Sequence, residues 1–172
     1  MPADSSATGA GPLLVVWWSA TGGTEQLARA AADAAAGSDP GDAVVLLRCD
    51  LAGPEAVSSA GGYLFCTPEN LASMAGMMKD FFDRCYYPVL DRIVARPYAS
   101  IVCAGSDGTG LTRQIDRIAT GWRLRRVARP VIVLTDAQTP RRFLRPSAST
   151  RPAATARDLG ESMATGIGMG IW

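Results

Sequence analysis

Leu13-Leu14-Val15-Val16-Trp17-Trp18, followed at once by Ser19-Ala20-Thr21-Gly22-Gly23-Thr24 and then by Glu25-Gln26-Leu27-Ala28-Arg29-Ala30, decides the architecture of this chain. Six apolar residues without alternation read as a strand covered on both faces. The hydroxyl- and glycine-rich stretch that follows reads as a turn, and the alanine-rich segment after it as a helix. A strand that empties through such a turn into a helix builds an anion site. The first N–H groups of the helix point outward unpaired, and the helix dipole favours negative charge there. Ser19, Thr21 and Thr24 add hydroxyl donors, while Gly22 and Gly23 allow close backbone approach. The turn holds no lysine or arginine. It therefore suits a single phosphate group gripped by neutral donors and fits a metal-bound nucleoside triphosphate poorly.

Working outward, four more short apolar runs read as buried strands: Ala43–Cys49, Gly61–Cys66, Tyr98–Ala104 and Pro130–Thr135. Helical patterns separate them. Thr24 to Ala36 is alanine-rich. Met74, Met78, Phe81 and Cys85 fall on one helical face, with Pro88 as the expected stop. Leu111, Ile115, Ile118 and Trp122 repeat the spacing, as do Ala156, Leu159, Met163 and Ile167. Gly53–Ala60 holds a turn or two at most. Strands alternating with helices imply an α/β fold of three layers, a doubly wound five-stranded parallel sheet with helices on both faces. Ligands of such sheets lie at the carboxyl ends of the strands, near the topological switch point. The loops after Trp18, Cys66 and Ala104 are thus the ones to inspect.

Two phosphate-binding motifs are absent from the first loop. There is no Gly-Lys-Ser/Thr of a Walker loop and no G-x-G-x-x-G of a dinucleotide fold. The pattern present is Ser/Thr-x-Thr-Gly-x-Thr, and in it the chain resembles the flavodoxin-like proteins, whose first loop holds the phosphate of FMN. The resemblance implies strand order 2-1-3-4-5 and assigns Ser19, Ala20, Thr21, Gly22, Gly23 and Thr24 to the phosphate. A second stretch strengthens it. Thr67-Pro68-Glu69-Asn70-Leu71, a run of small residues, and then Met78-Lys79 with Asp83 resemble the flavin-edge loop of the quinone reductases and NAD(P)H-dependent FMN reductases of that fold. Thr67, Pro68, Glu69, Asn70 and Leu71 would contact the ring. The structural alternative has Asn70 or Ser73 capping the next helix; for Met74, Met78 and Phe81 a core role is preferred. A third loop, Gly105-Ser106-Asp107-Gly108-Thr109-Gly110, again opens a helix. The resemblance gives Gly105, Ser106 and Asp107 to the ring and ribityl side, against a plain Asp-Gly turn with Thr109 as cap. Neither of these two loops contains an aromatic residue. Of Trp17 and Trp18, one is expected in the core and the other beside the site.

Composition sets the remaining bounds. The 172 residues are 48% hydrophobic with a net charge of +1, which favours neither nucleic acid nor an acidic partner. No run is long enough to span a membrane. Residues 1–12 read as a flexible tail without the marks of a signal peptide, and residues 13–172 as one flavodoxin-like domain. Cys49, Cys66, Cys85 and Cys103 read as core thiols in a reducing cytoplasm. Histidine is absent, which removes His-dependent triads and ordinary His-bearing zinc sites, and no metal site is expected. Arg141, Arg142, Arg145 and Arg151 lie in the Pro/Ser/Thr-rich segment Thr139–Pro152. A solvated connection is the first reading, and recognition of an NADPH 2′-phosphate by Arg141 or Arg142 the sharper one. The combined expectation is an FMN-dependent oxidoreductase carrying electrons from NAD(P)H to a quinone or similar small-molecule acceptor. Its flavin would do the chemistry, and related reductases are often homodimers or homotetramers. A non-enzymatic FMN electron carrier and a flavin-free interaction module on the same fold are the alternatives.

Overall fold

The structure is a computed structural model and describes residues 11–38, 44–135 and 151–172. Most of the N-terminal tail, Ala43 and the arginines 141, 142 and 145 lie outside the described residues. The elements are β1 (Leu13–Trp17), α1 (Gly23–Ser38), β2 (Val44–Arg48), α2 (Pro54–Ser59), β3 (Gly62–Asn70), β4 (Ser73–Met74), α3 (Gly76–Val89), β5 (Pro97–Ala104), α4 (Thr109–Gly121), β6 (Arg125–Arg126), β7 (Val131–Leu134) and α5 (Arg151–Gly168). Among the described residues, no helix is long and apolar enough to cross a membrane.

The strands form one sheet in the order β2-β1-β3-β5, with β6 and β7 both pairing with β5 and β4 pairing with β3. Counting the five long strands alone, this is the order 2-1-3-4-5, all parallel. The absence of alternation in β1, β3 and β5 has its cause in two cores. Leu14 and Val16 of β1, Tyr63 and Phe65 of β3, and Tyr98 and Val102 of β5 face the core shared with α2, α3 and α4. Leu13, Val15 and Trp17, Leu64 and Cys66, and Ala99, Ile101 and Cys103 face the core shared with α1 and α5. Both faces are covered, so both parities must be apolar.

The two cores differ in chemistry. The first is aromatic: Phe65 meets Phe82 at 5.1 Å between centroids, and Trp122 packs on Phe81, Phe82 and Tyr86. Trp122 is fully buried, and its Nε1 donates to the Tyr86 carbonyl at 3.2 Å. The second is built from small residues. Gly160 of α5 lies so close to α1 that a Cβ there would come within 2.1 Å of the Ala31 carbonyl oxygen. Ala28, Ala31, Ala32 and Ala35 make room for that approach.

Four local expectations are corrected. The third strand does not stop at Cys66; β3 continues through Thr67, Pro68 and Glu69 to Asn70, because β5 runs alongside as far as Pro68↔Cys103 and β4 then pairs back. β1 has ended opposite Cys66, so Pro68 sits where β3 has an open side, a place where a missing N–H is tolerated. Asn70 and Ser73 therefore belong to strands and do not cap α3, whose cap position is Ala75; Met74 is core but lies in β4. α3 runs one residue past Pro88, since a proline in the last turn removes only one hydrogen bond. Thr109 does not cap α4 either. The cap is Gly108, at φ +79°, and the Thr109 hydroxyl donates to Asp107 instead.

Candidate functional site

The loops after β1, β3 and β5 emerge side by side at the carboxyl ends of three adjacent strands. The first is fastened at both ends. The Trp18 N–H donates to the Cys66 carbonyl at 3.0 Å, and the Gln26 N–H to Gly22 at 3.1 Å as the first bond of α1. Ser19 Oγ accepts from the Gly22 N–H at 2.9 Å, which curls the loop. Gly22 holds φ +93°, and no atom stands within 4 Å of where its Cβ would be. This is an open cradle at a helix N-terminus, shaped by a backbone conformation that favours glycine. Of the three hydroxyl residues, Ser19 and Thr21 are half-buried in the loop, whereas Thr24 is buried beneath it and hydrogen-bonded to Cys103.

The thiols under the site are inert by environment. Burial pushes Cys103 up to about 11, with the Thr24 hydroxyl acting weakly against it, and burial holds Cys66 well above the ordinary thiol range. Glu25, in the first turn of α1, pairs with Arg29 at 2.8 Å, and the Arg29 guanidinium lies 5.7 Å from the Trp17 ring centroid. Trp17 belongs to the α1/α5 core. Trp18 packs on the opposite core half-buried, with the Arg48 guanidinium 6.0 Å from its ring centre. Arg48 is held in turn by both carboxylate oxygens of Asp50 at 2.6 Å, which keeps the Asp50 carboxyl below the usual range.

The second loop is a hairpin. Asn70↔Ser73 closes a two-residue turn whose residues, Leu71 and Ala72, both have positive φ, +50° and +60°. Such a turn matches the twist of two antiparallel strands and is normally made from Asn-Gly. Leu71, at its tip, is fully exposed. Thr67, at the base, is fully buried, with Pro68 and Glu69 half-buried and Asn70 exposed.

The third loop exposes Gly105, Ser106 and Asp107. It is joined to the hairpin directly: Glu69 Oε2 accepts from the Gly108 N–H at 3.1 Å. One turn into α4, Gln114 Oε1 accepts from the Met74 N–H at 3.0 Å and from Ser73 Oγ at 3.2 Å. Gln114 went unnoticed in the sequence, because a glutamine among the arginines and aspartate of an amphipathic helix carries no signal of its own. Of the residues expected to bind, the structure thus brings the three groups to one end of the sheet. It turns Thr24 and Glu69 toward protein partners outside their own loops, while Ser19 and Asp107 bond within theirs.

The donor set suits a flavin mononucleotide. One end is a cationless cradle of amides and hydroxyls fit for a phosphate monoester. The other two loops offer backbone and small polar groups fit for a polar ring edge, with buried thiols below that do not compete.

Solved structures share this fold. An archaeal flavodoxin is 12% identical, with a TM-score of 0.72 over 91% of this chain and 98% of its own. The WrbA-like flavodoxin of Agrobacterium tumefaciens is 18% identical, with a TM-score of 0.71 over 91% and 97%. The rubredoxin:oxygen oxidoreductase of Desulfovibrio gigas is 16% identical, with a TM-score of 0.72 over 94% of this chain but 38% of its own. No curated protein matches the sequence. The model of one family, described as NADPH-dependent FMN reductase, matches residues 52–139, just over half of the 172. That span contains the hairpin and the 105–108 loop and starts downstream of the first loop. Its match, on a flavodoxin-like sheet with ligand-type loops at the switch point, makes this chain a member of the NADPH-dependent FMN reductase family and an FMN-binding oxidoreductase.

Proposed function

We propose that the protein is an FMN-dependent reductase that takes electrons from NAD(P)H and delivers them to a quinone or similar small-molecule acceptor. The observation that carries this reading is the cradle at Gly22, open above and bounded by α1's first amides, one and two strands away from two loops that lie within the span matched by the family model. Bound FMN would supply the redox chemistry. The chain's own share is binding and orientation. The backbone N–H groups of Ala20, Thr21, Gly23 and Thr24, with the hydroxyls of Ser19 and Thr21, would grip the phosphate without a cation, using the partial positive charge of the helix start. Thr24 would act from below, as a support for the loop through Cys103. Thr67–Leu71 and Gly105–Asp107 would hold the ring and ribityl side. No side chain need act as acid or base, consistent with a chain that lacks histidine. A homodimer or homotetramer would suit a site whose ring loops contain no aromatic of their own.

Anaerobic addition of NADPH to the FMN-loaded protein tests the reading. Rapid loss of the flavin absorbance, and its return on adding a quinone, is the expected result. A protein that binds FMN but keeps its absorbance with both NADPH and NADH is an electron carrier, and the reductase reading fails.

A further inference from the structure

We propose that Glu69 is a positioning residue: its carboxylate, seated on the N-terminus of α4, clamps the β3–β4 hairpin to the 105–108 loop and so sets the gap in which the flavin ring lies. The inference rests on the FMN reading above and adds to it how two of the three loops are kept in register.

Glu69 occupies a half-buried position at the mouth of the hairpin, two residues before the exposed tip Leu71. Its Oε2 accepts from the Gly108 N–H at 3.1 Å, and its Oε1 lies 3.5 Å from where a Cβ of Gly110 would stand. The carboxylate thus lies within contact distance of the first turn of α4. α4 has no cap from its own side chains: Gly108 has none to give, and the neighbouring acid, Asp107, is held by the Thr109 hydroxyl at 2.5 Å. A carboxylate at a helix start is favoured both by the charge-assisted hydrogen bond and by the dipole. The N-cap amide of α4 is therefore bonded to an anion from within the chain. In α1 the corresponding N-cap amide, that of Gly22, is bonded to the neutral hydroxyl of Ser19, so no anion of the chain stands there. This agrees with the direction of the nucleotide in the FMN reading, phosphate at residues 19–24 and ring toward the hairpin.

A second grip acts independently from the same helix. Gln114 holds the amide of Met74 and the hydroxyl of Ser73, on the returning strand. The hairpin is short, and its turn residues adopt conformations unfavourable to leucine and alanine. Local sequence alone does not keep it in place. The two grips from α4 do, and Glu69 is the one that reaches the loop carrying Gly105, Ser106 and Asp107.

Full-length protein with Glu69→Ala and with Glu69→Gln provides the test, read in two ways. In the absence of flavin, amide exchange at Gly108 should quicken roughly tenfold in Glu69→Ala, while amides of β1 and β5 exchange as in the unaltered protein. Fluorescence titration should show FMN and riboflavin both weakened by about tenfold in Glu69→Ala, with the ratio between them unchanged, since the phosphate cradle is untouched. Glu69→Gln keeps an acceptor oxygen and should recover most of both effects. Unchanged exchange at Gly108, undiminished FMN affinity in Glu69→Ala, or a glutamine variant no better than alanine overturns the positioning role while leaving the FMN reading intact. Failure of the unaltered protein to take up any flavin overturns both. Should Glu69→Ala not fold, Glu69→Gln carries the test, with FMN and riboflavin weakened equally by about threefold as the expected result and full native affinity as the contrary one.

Discussion

The loop at Ser19–Gly22 and the hairpin at Thr67–Met74 serve the same end of the sheet and are built on opposite principles. In the first, the residues suit the backbone they adopt. Glycine takes the one φ of +93°, serine closes the curl, and the helix follows without interruption. In the second, leucine and alanine occupy two positions of positive φ that glycine or asparagine would hold with less strain, and contacts from α4 retain them there. The first loop owes its shape to local chemistry and the second to tertiary grip. A conformation held from outside can be tuned by the residues that hold it, which is why the hairpin depends on Glu69 and Gln114 and the cradle depends on neither.

The strongest break in this comparison is a side chain placed in the cradle. Gly22→Val forces a β-branched residue into a left-handed conformation and puts its methyls where the ligand phosphate would sit. FMN affinity is expected to fall by about a hundredfold or more, close to 3 kcal/mol by titration, while riboflavin binding changes far less. Next in size is the response of the first loop's foundation to alkali. Cys103, bonded to Thr24, ionises at about 11 in the folded protein, above its ordinary value of 9.0. A raised thiol adds stability that is fully present below pH 9 and lost as pH climbs toward 11. Denaturant titrations should show a decline of about 2 kcal/mol over that window from this thiol, with amides at the start of α1 losing protection before those of the hairpin. Smallest is a gain. Leu71→Asn with Ala72→Gly gives the hairpin the residues its turn prefers and should raise unfolding stability by about 1 kcal/mol, sharpening the contrast by removing the strain that α4 now restrains. No change, or a loss, would mean that Leu71 and Ala72 are not strained as their φ values imply.

Much of the fold was legible because both cores write themselves into the strands. Leu13–Trp18 is apolar at every position and Tyr98–Ala104 at every position but Ser100, since each parity meets a helix layer, whereas the close packing around Ala31 and Gly160 was not read from the alanine-rich first helix. The strand order, by contrast, came through resemblance, as no periodicity encodes it. The first loop was legible in place and in composition, yet not in the fate of Thr24, whose burial follows from how α1 leans on Cys103. The hairpin was read as an irregular loop because Leu-Ala carries none of the Asn-Gly signal and Pro68 argues against a strand. Its partners, Gly108 and Gln114, lie some forty residues downstream, a distance over which local pattern says nothing.

In the proposed function, neutral donors at residues 19–24 hold the phosphate of FMN. Parallel titrations of the unaltered protein with FMN and with riboflavin, which differ only in that phosphate, test it most directly. FMN binding at least about thirtyfold tighter than riboflavin, the worth of a few charge-assisted hydrogen bonds, with the advantage abolished in Gly22→Val, is the predicted result. Equal affinities for the two flavins, or an FMN advantage that survives Gly22→Val, would contradict it.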